Sequence, residues 1–169
     1  IQPIAAFAAQ RRAYDLALYQ MGNSSHFHQS IYRTLLRYPG VVALHDYVLH
    51  HFLVGCTVAQ GDTAGYVREM GYALGSAGMQ RARAIAQGSE PFPWYDVPLS
   101  ERLLDVSLGV MVHSRYVETL IHQHSPSLPT AVISQPMQPV ESAASRRSAL
   151  PWPSDAIIFA SLGQITPAK

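Results

Sequence analysis

The chain has 169 residues, 48% of them hydrophobic and 14% charged, with a formal charge of +1. That length allows one domain with a real core, the charge gives no electrostatic case for nucleic acid or an anionic membrane, and no apolar run approaches the roughly 18 residues that span a bilayer. One cysteine, Cys56, excludes an internal disulfide framework and fits a reducing, cytoplasmic setting. The first residue is Ile1 and no charged leader with an apolar core follows it. The chain therefore reads as a piece of something longer.

In chain order, residues 1–12 are Ala-rich and predict a helix after Pro3 that ends near Arg11 and Arg12. Residues 15–19 predict a short strand, stopped by the turn cluster Gly22-Asn23-Ser24-Ser25. A helix with Ile31, Leu35 and Leu36 on one face follows and ends before Pro39-Gly40. Residues 41–45 then form a strand whose Val41-Val42-Ala43-Leu44 is apolar without alternation, as in a parallel sheet covered on both faces. A helix is expected from about residue 46 to 59, closed by Gly61. Asp62 or Thr63 caps a longer helix reaching Gly88, with Val67, Met70, Leu74, Ala77 or Gly78, and Ile85 at helical spacing. Gly71, Gly75 and Gly78 predict close packing or a break in it.

Residues 89–98, rich in proline and aromatic rings, predict a loop. Ser100 caps a short helix with Leu103, Leu104 and Val106, and residues 109–113 form a strand. Ser114 caps a helix carrying Val117, Leu120 and Ile121, and residues 130–134 form a fourth strand. Strands alternating with helices specify an α/β fold, a Rossmann-like parallel sheet with flanking helices and right-handed crossovers. Residues 1–134 are one domain on this reading, residues 135–154 a Pro/Ser-rich linker, and residues 155–161 a strand that opens a second domain over 155–169.

Polar residues fall at the carboxyl ends of the predicted strands: Gly22-Asn23-Ser24, His45-Asp46, His113-Ser114 and Gln135. Ligand crevices of open α/β sheets lie there. Asn23 and Ser114 are equally well explained as helix caps. For His45 a cap is the weaker explanation, because Asp46 would take that role and leave the imidazole free. The histidines raise a metal reading through His26-x-His28 and His45-Asp46 with His50-His51, since Asp46 and His50 share a face if both are helical. Residues two apart on a helix diverge, so His26 and His28 would not face one ion. Cys56 sits among Leu53, Val54 and Val58 and reads as packing. There is no nucleophile elbow, P-loop or dinucleotide fingerprint.

Several segments resemble a bacterial group of GT-B retaining glycosyltransferases of the family 4 type. They are Leu18-Tyr19-Gln20-Met21-Gly22-Asn23, His28, Ile31-Tyr32, the run from Pro39 to Asp46, and Leu49-His50-His51-Phe52. The stretch from Ser107 to Val117 is similar to a later strand of the same N-terminal domain, and Phe159 to Lys169 to the opening of the C-terminal one. The resemblance implies two Rossmann-like domains with a cleft between them, a nucleotide-sugar donor, an unidentified acceptor, and no bound metal or separate cofactor. His45 matches a histidine that contacts the donor sugar and, with Asp46, is the expected catalytic pair. Asn23, Ser114 and His50 are the expected substrate contacts. Gly163 and Lys169 match donor-diphosphate positions, while Gln164 stands where the family has arginine and cannot supply its charged fork. The family's glycine-rich loop and two-glutamate motif are not in this chain, so the chain alone is expected to be inactive. Apolar surface left bare would favour a homo-oligomer. Two other readings are a noncatalytic sugar- or nucleotide-binding or assembly module, and a small metal hydrolase using His45, Asp46 and His50.

Overall fold

Four short strands pair in parallel in the order β1-β2-β3-β4. They are β1 (Leu18–Met21), β2 (Val41–Leu44), β3 (Gly109–Val112) and β4 (Thr130–Val132). The structure, a computed structural model, describes residues 3–134, 153 and 155–157. Around the strands run α1 (Phe7–Gln10), α2 (Ser25–Arg37), α3 (His50–Cys56), α4 (Thr63–Ala86), α5 (Glu101–Val106) and α6 (Arg115–His124). This is the Rossmann-like α/β architecture expected from the alternation of strands and helices.

The chain divides into two units, Ile1–Gln135 and Pro136–Lys169. Most of the proposed linker 135–154, the later part of the predicted strand 155–161, and Gly163, Gln164 and Lys169 lie outside the described residues. Residues 155–157 are a turn and irregular backbone rather than strand.

Register explains which strand residues are core. Tyr19 pairs with Val42 and Val42 with Val110, so these share one face of the sheet with Met21, Leu44 and Val112. All six are buried. They pack against Tyr32 and Leu35 of α2, Phe52 and Leu53 of α3, Leu103 and Leu104 of α5, and Ile121 of α6. Right-handed crossovers that step in one direction place successive helices on one face, which is where this core lies. The alternate residues Leu18 and Gln20 point the other way and are exposed, while Ala43 beside them is buried. The two-faced burial predicted for residues 41–44 therefore holds for most of β2, whereas β1, an edge strand, is buried on one face only.

Several boundaries differ from expectation. The first strand starts at Leu18, three residues after its predicted start at position 15. Leu36, assigned to the apolar face of α2, is exposed. The helix expected from residue 46 begins at His50, and 47–49 are irregular. It ends at Cys56 and is followed by a single 3₁₀ turn, Val58–Gln60. Cys56 is half-buried and burial pushes its thiol pKa up, which fits packing rather than nucleophilic chemistry. The glycine cluster does mark a break. Gly75 adopts φ 65° and ψ −148°, a conformation that only glycine tolerates readily, and α4 bends there. Across the bend a Cβ on Gly78 would strike the Met70 carbonyl, so glycine is needed at that contact too. Asp62 caps α4 by accepting from Gly65 N–H at 2.7 Å. No helix among the described residues is long and apolar enough to cross a membrane.

His50 is fully buried at the start of α3. Its Nδ1–H donates to the Val97 carbonyl at 2.8 Å, and Nε2 accepts from the Tyr66 hydroxyl at 3.0 Å. The Val97 carbonyl only accepts, so Nδ1 carries a proton, and burial favours the neutral ring in which Nε2 accepts. Burial lowers the His50 pKa and pushes the Tyr66 phenol up to about 12. The unfolded chain takes up this proton near the ordinary imidazole value of about 6.5, before the folded chain does, so His50 removes stability as pH falls through that range. The melting temperature should therefore drop between about pH 7.5 and about pH 5, and the drop should shrink in His50→Gln. An undiminished drop in the variant would contradict this assignment.

Candidate functional site

The carboxyl ends of β1, β2 and β3 meet at one edge of the sheet. Beyond β2 the ladder continues one residue, with His45 N–H donating to Met21 O at 2.8 Å. The chain then leaves the sheet, and Asp46 turns toward the loop after β1. Its Oδ2 accepts from Asn23 N–H at 2.9 Å. Gly22 makes this approach possible. A Cβ there would lie 3.0 Å from Asp46 Oδ2 and 3.1 Å from His28 Cε1. His28 itself is held by its Nδ1–H, which donates to Ser24 O at 3.0 Å.

Asn23 links the two loops a second time. Its Oδ1 accepts from Phe52 N–H at 2.7 Å. A backbone N–H only donates, so the amide orientation is settled, and Nδ2 then donates to His51 Nδ1 at 3.4 Å. Phe52 lies in the first turn of α3, where N–H groups lack helical partners. Asn23 therefore caps α3 from a different loop, a role the sequence assigned locally to Asp46. The His51 ring stacks on Trp94, centroids 4.3 Å apart and planes 16° off parallel. This anchors the 89–98 loop to α3.

A second set of bonds holds His45. Its Nε2 lies 2.7 Å from Gln20 Oε1, and its Nδ1 lies 3.4 Å from His113 Nε2. His113 Nδ1–H donates to Ile133 O at 2.8 Å. The imidazole expected to be unengaged thus belongs to a chain running from β1 through β2 and β3 to the end of β4.

Beside these bonds lies a cleft of about 580 Å³. Asn23, His45 and Asp46 line it together with Tyr47, Tyr95 and Tyr116. Tyr95 and Tyr116 are well exposed at 57% and 71%. Tyr47 is half-buried, and burial raises its pKa, so its hydroxyl stays protonated and able to donate. A larger hollow of about 670 Å³ runs along the outer edge of β1 beside α1. Its lining is mostly apolar, including Phe7, Tyr14, Leu16 and Leu18, and it holds no charged residue. Of the two, the smaller cleft is the one lined by acid–base groups, His45 and Asp46.

The predicted residues thus separate. His45, Asp46 and Asn23 come together in the cleft. Ser114 caps α6, its hydroxyl accepting from Tyr116 N–H at 3.1 Å. His50 does not line the cleft, because it sits in the core with both nitrogens engaged. That corrects its expected role as a substrate contact. It also removes the third ligand from the His45–Asp46–His50 hydrolase reading, since Asp46 lies outside the helix and cannot share a face with His50. No group of three or more His, Cys, Asp or Glu suited to one metal ion occurs among the described residues. Gly163 and Lys169 lie outside the described residues. Gln20, Tyr95 and Tyr116 were not anticipated. The only hints were a polar residue alternating out of β1 and an aromatic, proline-rich loop.

No protein-family model, curated protein or solved structure matches the chain.

Asn23→Ala should cost about 1–2 kcal/mol in chemical denaturation, because it removes the acceptor for Phe52 N–H. The exchange rate of the Phe52 amide should rise with it. Unchanged stability and unchanged exchange would show that the bond does not hold α3 in place.

Proposed function

We propose that this chain forms one wall of a sugar-transfer cleft in a retaining GT-B glycosyltransferase, which moves a sugar from a nucleotide-sugar donor to an acceptor. One observation carries the reading. The polar groups of Asn23, His45 and Asp46 share a cleft with the exposed rings of Tyr95 and Tyr116. A pyranose offers both matching surfaces: hydroxyls at its rim for planar polar groups, and C–H faces for aromatic rings. The resemblance of residues 39–52 to this family points the same way.

Glycosyl transfer passes through an oxocarbenium-like transition state with a departing diphosphate. His45 is placed to hydrogen-bond hydroxyls of the transferred sugar. Asp46 adds negative charge near the positive character that develops, which is worth most where water is excluded. One Asp46 oxygen is held by Asn23, and among the described residues no other donor bonds the carboxylate. Gly163 and Lys169 are assigned to the donor diphosphate, with Gln164 making a weaker contact than arginine would. Residues 155–169 then belong to the donor-binding domain. The reading includes a cytoplasmic, bacterial setting, and leaves metal ions and nucleic acid without a role.

In the gene product that contains this chain, His45→Ala should lower sugar transfer about 100-fold. Nucleotide affinity, measured by calorimetry, should stay within about twofold, because the nucleotide is held elsewhere. Undiminished transfer would remove His45 from the site. Binding of nucleotide sugar with no turnover in the unmodified protein would instead support a noncatalytic binding module.

A further inference from the structure

The bonds around His45 restrict where its ring proton can sit. A backbone carbonyl only accepts, so His113 must carry a proton on Nδ1 to bond Ile133 O at 2.8 Å. A neutral His113 then has a lone pair on Nε2, the atom facing His45 Nδ1 at 3.4 Å. If His45 carried its single proton on Nε2, two lone pairs would oppose each other across that gap. If His45 carries it on Nδ1, the gap becomes a hydrogen bond from His45 to His113. The two rings lie within 25° of parallel, centroids 5.4 Å apart.

We propose that His113 is a positioning residue that sets the tautomer of His45, holding the proton on Nδ1 and leaving Nε2 as a hydrogen-bond acceptor. Nε2 is the nitrogen turned away from His113, and its neighbour is the exposed side chain of Gln20. With Gln20 Oε1 toward it at 2.7 Å, Nε2 must carry a proton, and a ring that also keeps Nδ1–H is then an imidazolium. A half-turn of the Gln20 amide presents N–H instead and suits the neutral ring. The same lone pair suits a sugar hydroxyl that displaces Gln20. His113 does not line the cleft and acts only through His45. The Ile133 carbonyl at the far end of the relay lies just past β4, so the tautomer at β2 is tied to the neighbouring strands.

What the lone pair serves rests on the transferase reading, but the tautomer does not, and it can be read directly. Long-range ¹H–¹⁵N spectra of the uniformly labelled chain at about pH 8, above ordinary imidazole titration, report the protonation of each ring nitrogen. His113 and His45 should both show a protonated Nδ1 and a bare Nε2, opposite to the form that free histidine favours. His113→Phe keeps a ring and removes the acceptor, so His45 should move its proton to Nε2. A wild-type His45 protonated on Nε2, or a doubly protonated His113, overturns the proposal without any variant. An unchanged His45 spectrum in a folded His113→Phe overturns it as well. Failure of sugar transfer in the gene product would leave these spectra as expected, whereas a contrary spectrum would leave the transferase reading standing, so the two failures are distinguishable.

Discussion

The site depends on the bracket that Asn23 and Asp46 make between two strand ends. Asp46 accepts the backbone N–H of Asn23, and the Asn23 side chain accepts the N–H of Phe52. Each bond answers a donor left over where regular structure stops. Together they fix the loop after β1, the loop after β2 and the first turn of α3 as one unit. Phe52 is fully buried against Tyr32, with ring centroids 5.1 Å apart, so this unit is also seated in the core. His45 precedes Asp46 in the chain and inherits its placement from the bracket. The glycine at position 22 is what allows the carboxylate to come close enough.

Two histidines five positions apart show how burial separates an enclosed imidazole from an accessible one. His50 is enclosed, and both its nitrogens are satisfied by the core. Its ring has no free nitrogen to offer a ligand, and burial opposes its protonation. His45 is exposed, and one of its partners is an exposed glutamine. A solvated glutamine side chain is readily displaced, so of the two imidazoles this is the accessible one. The sheet reinforces the distinction. The four strands run in sequential order with no reversal among the described residues, so no switch point opens a crevice within them. The cleft instead forms where the loop after α4 and the start of α6 bring tyrosines over the strand ends.

Period and punctuation were legible in the sequence. The apolar run 41–44, the caps at Asp62 and Ser114, and the glycine break at Gly75 all follow from local chemistry, and the parallel sheet follows from their order. His45, Asp46 and Asn23 were legible for the same reason, because strand ends in such a sheet are where polar groups collect. What failed was non-local. The start of α3 was misplaced because its cap comes from Asn23, 29 residues away in sequence, while Asp46 points elsewhere. The burial of His50, expected as a substrate contact, is not legible because its partners, Val97 and Tyr66, lie 47 and 16 positions distant. Helical spacing states which residues share a face but not what covers it. The tyrosines of the cleft belong to a loop and a helix start with no periodic signal at all.

The central claim is that the strand-end cleft, and not the larger apolar hollow along β1, is the sugar site. Its most direct test maps amide shifts on the labelled chain during titration with methyl pyranosides of the gluco, galacto and manno series. The account predicts that at least one sugar shifts amides around residues 22–24, 45–48 and 114–117 together, and that Asp46→Asn weakens the response. Shifts confined to residues 14–20 along the β1 hollow, or no response to any of the three sugars, would contradict it.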